Sequence, residues 1–159
     1  AAELADEFIR QNVEAVVIHF ATFPVGAMIP LLAGKLSVPF ILLANPETPL
    51  PDGVLEQNSF CGANLAAHIL HQMGKKYAFA WSPADTADQA LLRPLKAIEC
   101  QNALSRLRLG LAGGRVPGFY TSNFSELKLR TRLGVTVEVL ELLEIVKTAE
   151  KLSAAEKAA

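Results

Sequence analysis

Five short apolar runs, each set off from the next by a segment of helical periodicity or turn chemistry, constrain this fold most. They are Val13 to Phe20, Phe40 to Ala44, Tyr77 to Trp81, Leu109 to Ala112 and Val135 to Leu140. Runs this short, without polar alternation, are strands covered on both faces, and strands that alternate with helices make βαβ units with parallel pairing. The fold class that follows is α/β, with Rossmann-like parallel sheets flanked by helices, in two consecutive α/β units. A hydrophobic fraction of 51% suits doubly covered sheets, and it also suits an oligomer.

Ala1 to Gln11 sets Leu4 and Phe8, with Ala1 and Ala5, on one stripe against Glu3, Asp6, Glu7 and Arg10, the pattern of an amphipathic helix. An α/β domain rarely opens on such a helix, so a strand or two are expected before Ala1 in a longer parent. Ala21 to Gly26 is a loop in which Pro24 introduces a helix over Val25 to Leu36. Asn45 to Gly53 carries Pro46, Pro49 and Pro51, which forbids helix or ladder and predicts a long surface loop. Asn58 and Ser59 precede a helix that Gly74 closes, and Ser82 to Thr86 caps a helical pattern running from Ala87 to Leu109. Pro94 is expected to kink or split that helix. The domain change is therefore set near residues 85 to 94. A first α/β domain covers 1–88, and a second α/β domain starts over 89–159. In the second, Gly114 to Tyr120 turns into a Ser/Asn helix start, a helix over Phe124 to Leu133, the last strand, and a helix over Glu141 to Ala159.

Charge and motif content narrow the function classes. With 15 Lys plus Arg against 16 Asp plus Glu, the formal charge is −1, and no basic field points to nucleic acid or to a membrane surface. Pro24, Pro30, Lys35 and Pro39 interrupt the most apolar stretch, well short of the about 18 residues a membrane span needs. No basic-then-apolar leader opens the chain. Cys61 and Cys100 lie far apart without CxxC spacing, which reads as two packed thiols in a reducing cytoplasm. Gly110, Gly113, Gly114 and Gly118 do not make a GxGxxG turn, and neither a phosphate-loop lysine nor a GxSxG elbow occurs. His68 and His71 stand three apart on a helix without a third ligand nearby, the spacing of a helix flank rather than of a metal site.

Ligand groups of open parallel sheets gather at the carboxyl ends of strands. That rule selects His19, the loop residues Asn45, Glu47 and Asp52, and Arg115, Tyr120, Ser122 and Asn123 after the fourth run. The residues do not assemble a complete catalytic constellation.

The order Val16-Val17-Ile18-His19-Phe20-Ala21-Thr22-Phe23, Pro39 to Glu47, Cys61-Gly62-Ala63-Asn64, Gly74-Lys75-Lys76-Tyr77, Gly114 to Phe119 and Leu133 to Val139 resembles the L-fucose and L-arabinose isomerase family over nearly the whole chain. The resemblance implies a fragment of a cytoplasmic, homo-oligomeric aldose-ketose isomerase. Such an enzyme has two α/β domains and a further barrel-like domain, and works on a small sugar through an enediol with a divalent metal, usually Mn2+. It also implies that the metal-binding Glu, Asp and His lie beyond the matched region, so no catalytic residue is carried over and the fragment is inactive alone. Thr22 and Phe23 match the loop with which the first domain helps close a neighbouring subunit's sugar site. The sugar-binding residues expected are thus His19, Thr22, Phe23, Asn45, Glu47, Arg115 and Tyr120. A second resemblance, through Asn12 to Ile18, Val38 to Leu43 and Leu70 to Gly74 before Tyr77, is to the sugar-binding core of periplasmic binding proteins and related repressors. It implies two lobes closing on a sugar without chemistry, with Arg115 and the Asn45 to Gly53 loop lining the cleft. The Leu133 to Leu143 segment favours the isomerase.

Overall fold

The computed structural model describes residues 1–153 and residue 156. Their order is α1 (Ala2–Arg10), β1 (Val16–Phe20), α2 (Met28–Lys35), β2 (Phe40–Ala44), α3 (Ser59–Gln72), β3 (Tyr77–Trp81), α4 (Ala87–Ser105), β4 (Arg108–Ala112), α5 (Glu126–Leu133), β5 (Thr136–Leu140) and α6 (Leu142–Lys151). The fold is α/β with parallel sheets flanked by helices. It divides into two compact units, Ala1–Glu99 and the chain from Cys100 onward.

In the first unit the strands run parallel in the order β1-β2-β3. Every residue of β2 is buried, because only the central strand has a neighbour on each edge and helices over both faces. Side-chain alternation divides the core. Phe40, Leu42 and Ala44 pack with Val16 and Phe20 of β1, Ile29 and Leu32 of α2, and Ala63, Ala66 and Leu70 of α3. Ile41 and Leu43 face the other way and pack with Ala80 against Ala87, Ala90, Leu91 and Ile98 of α4. The chain changes sides of the sheet after β3. On the outer edge, Phe60 of α3 stacks edge-on against Phe79 and Trp81, with ring centroids 5.9 and 5.4 Å apart.

In the second unit β4 and β5 pair in parallel, with Arg108 opposite Thr136 and Ala112 opposite Leu140. Ser125 caps α5 by accepting from the Lys128 N–H at 3.3 Å. Gly134 ends α5 in the left-handed region at φ +79°, and a Cβ there would come within 2.7 Å of the Ser105 Cα, so only glycine fits. Val135 is the one fully buried hydrophobic residue among those described in this unit.

Several expectations need correction. Residues 26 and 27 form a turn, so α2 begins only at Met28, and Pro24 lies within the preceding loop rather than at the helix start. The helical pattern after Ala87 stops at Ser105, and Leu109 is a strand residue. Pro94 does not split α4; packing of Ala87, Ala90, Leu91 and Ile98 on the sheet outweighs one lost backbone bond. Cys61 and Cys100 are free and exposed rather than packed, since each falls on its helix's outer side. The last helix ends at Lys151, and the expected extension to Ala159 runs largely outside the described residues.

Candidate functional site

The three strands of the first unit end together, at Phe20, Ala44 and Trp81, because they pair in register. Three side chains tie these ends. Asn45, the first residue after β2, donates from Nδ2 to the Ser82 carbonyl just beyond β3 at 2.7 Å. Its backbone N–H donates to Ser59 Oγ at 2.9 Å. Ser59, 1% exposed at the start of α3, donates in turn to the Phe20 carbonyl at the end of β1. The Asn45 side chain also bonds His19 Nε2 through Oδ1. Register explains this meeting: His19 pairs with Leu43, and Asn45 follows two residues later on the same face.

Glu47 has a different part. Its carboxylate accepts from the backbone N–H groups of Gln57 and Asn58 at 2.9 and 2.8 Å, which folds the proline-rich loop back onto the start of α3. Asn58 sits there in the left-handed region at φ +52°, a conformation asparagine tolerates better than most residues. Asp52 receives the Val54 N–H at 3.1 Å, an ordinary turn contact. Phe23 donates its backbone N–H to the Gln57 carbonyl at 2.7 Å, while its ring is 53% exposed. Thr22 is exposed beside it. Behind this loop Gly62 admits the chain closely, since a Cβ there would lie 2.6 Å from Pro24 Cδ and 3.3 Å from the Thr22 carbonyl. A cleft of about 300 Å³ adjoins the loop, bordered by Leu4, His19, Thr22, Val25 and Met28.

Arg115 and Tyr120 belong to the second unit. The Arg115 guanidinium lies 5.2 Å from the centre of the Tyr120 ring, and both residues are exposed. A second hollow of about 320 Å³ there is bordered by Gly114, Arg115, Phe119, Ser122 and Asn123.

Of the expected sugar-binding residues, His19, Thr22, Phe23, Asn45 and Glu47 share one strand-end region, with Asn45 and Glu47 largely engaged by backbone groups. Ser59 and Ser82, which hold that region together, were not singled out as site residues. The available signal was the position of Ser59 in a helix's first turn and of Ser82 at a strand's end. No group of three or more His, Cys, Asp and Glu among the described residues is arranged to hold a metal. The described residues therefore do not by themselves fit a manganese centre. No described helix is long and apolar enough to cross a membrane.

No protein-family model matches the chain. It is 28% identical over 149 residues to a protein named sulfoquinovose isomerase from Priestia megaterium, covering 92% of this chain and 33% of that protein. A sulfoquinovose isomerase from Alkalicoccus urumqiensis is 29% identical over 133 residues, covering 82% of this chain and 30% of its own length. One from Clostridium sp. strain MSTE9 is 25% identical over 139 residues. The chain spans about a third of the length of the curated relatives it matches. These relatives support the sugar-isomerase resemblance but are not the L-fucose or L-arabinose enzymes; over most of its length, this chain is similar to sulfoquinovose isomerases.

Proposed function

We propose that this chain is part of a longer aldose-ketose isomerase of the sulfoquinovose isomerase kind, in which the strand-end region of the first unit forms part of a sugar site. The observation that carries the reading is the similarity over 92% of the chain to proteins of that name. In such a reaction a hydrogen leaves C2 of the aldose and one arrives at C1, the carbonyl moves from C1 to C2, and the overall redox state is unchanged. Neither a base nor a metal ligand is assigned to this chain. A divalent metal, manganese by the family resemblance, would be held by residues outside it and would supply polarisation of the sugar oxygens.

The contribution proposed for this chain is binding and orientation. His19 offers a polar contact, and the exposed ring of Phe23 offers a flat apolar surface for the C–H face of a sugar. Val25 and Met28, exposed next to that loop, support its burial by a neighbouring subunit in a homo-oligomer. Arg115 and Tyr120 are proposed as sugar contacts of the second unit, where the guanidinium suits an anionic substituent. Two free cysteines fit a cytoplasmic protein.

The test is expression of the full-length parent, with aldose-to-ketose turnover followed on sulfoquinovose, L-fucose and L-arabinose, with manganese and with EDTA. EDTA-sensitive turnover of sulfoquinovose, with KM raised about tenfold by Phe23→Ala, is expected; a tenfold change corresponds to about 1.4 kcal/mol of binding. Sugar binding without turnover of any aldose would refute the isomerase and leave the binding-protein alternative.

A further inference from the structure

The Asn45 amide can be oriented in only one way. Its partner on one side is the Ser82 carbonyl, 2.7 Å away, which only accepts, so the amide NH2 must face it and Oδ1 must face His19. Oδ1 likewise only accepts, so the hydrogen between Asn45 and His19 belongs to the imidazole. A neutral His19 with its proton on Nδ1 would set the Nε2 lone pair against the Oδ1 lone pairs. No hydrogen bond to Nδ1 occurs among the described residues.

We propose that Asn45 is a positioning residue that fixes neutral His19 as the Nε2–H tautomer and leaves Nδ1 as an unprotonated acceptor, fitted to receive a hydroxyl hydrogen. A neutral imidazole so held takes a hydrogen-bond donor and disfavours an anionic oxygen. The hydroxyl of a polyol matches it; a sulfonate does not. The identification of that hydroxyl as a sugar's rests on the function proposed above, whereas the tautomer does not, and it is read without any sugar present.

The experiment is nitrogen NMR of the full chain labelled in histidine, at a pH where the imidazoles are neutral. His68 and His71, both exposed and without hydrogen-bonded side chains among the described residues, serve as internal references, and His19→Gln assigns the resonances. Expected is a His19 with a wholly protonated Nε2 and a wholly unprotonated Nδ1, while His68 and His71 show averaged mixtures. Asn45→Ala should move His19 to the averaged position, and Asn45→Asp, which keeps an oxygen acceptor, should leave Nε2 protonated. A protonated Nδ1 in the neutral wild-type ring, or a wild-type mixture equal to that of His71, overturns the proposal even if Asn45→Ala fails to fold. An unchanged His19 spectrum in a folded Asn45→Ala overturns Asn45 as its cause. Loss of isomerase activity in the parent leaves these spectra unaffected, so the two ideas fail separately.

Discussion

Replacing Gly62 with alanine should loosen the strand-end region from behind. Two opposed terms decide the size of the effect. Alanine in a helix interior is favoured over glycine by up to about 1 kcal/mol, and less in the first turn, where Gly62 stands. Against this, the new Cβ would lie 2.6 Å from Pro24 Cδ, 3.2 Å from the Phe20 ring and 3.3 Å from the Thr22 carbonyl. None of these is the far end of a flexible side chain: Pro24 has a closed ring, Phe20 is 3% exposed, and the carbonyl is backbone. Overpacking of this kind costs about 1–3 kcal/mol, so a net loss of about 1–2 kcal/mol is expected. At a slope of about 2 kcal/mol per molar urea, the midpoint should fall by about 0.5–1 M, read from the fluorescence of Trp81 in the same unit. Gly34→Ala supplies the contrast, since nothing lies within 4 Å of its added Cβ and the propensity gain stands alone. A Gly62→Ala chain as stable as the wild type, or one gaining as much as Gly34→Ala, would refute the reasoning.

Ser59→Ala removes the acceptor of the Asn45 N–H and the donor to the Phe20 carbonyl at a site that is 1% exposed; a loss of about 1–3 kcal/mol is expected in urea unfolding. Glu47→Ala leaves two loop N–H groups without their carboxylate, and should cost about 1 kcal/mol and speed proteolysis between Pro46 and Asn58, visible as new fragments in mass spectra. Leu70→Ala, in the core where Leu70 is 0% exposed, should cost about 2–5 kcal/mol by calorimetry. Arg108→Ala breaks a two-pronged but exposed ion pair with Glu138, and should change stability by less than about 1 kcal/mol, less still in high salt.

The strand-end region was legible in part. His19 could be placed there because a strand's carboxyl end is recognisable from the run that precedes it, and Thr22 and Phe23 were expected there from the family resemblance. The tasks of Asn45 and Glu47 could not, because each depends on partners that lie elsewhere along the chain. Asn45 meets His19, 26 positions away, and the carbonyl of Ser82, 37 positions away. Glu47 turned out to hold its own loop to α3 through backbone N–H groups, which leave no mark on side-chain identity. The exposure of Cys61 and Cys100 was likewise hidden, since helix periodicity tells which residues share a side but not always which side is covered.

By itself the amino-acid sequence determined where the strands and most helices lie, because apolar periodicity and the conformational limits of proline and glycine act within a few residues. The α/β class with parallel pairing followed from that alternation. Only the tertiary structure decided the strand order β1-β2-β3, the continuity of α4 through Pro94, and which polar groups at the strand ends bond one another. These depend on register and on packing across the sheet. Both are long-range outcomes, set by burying Phe40 to Ala44 on two faces at once.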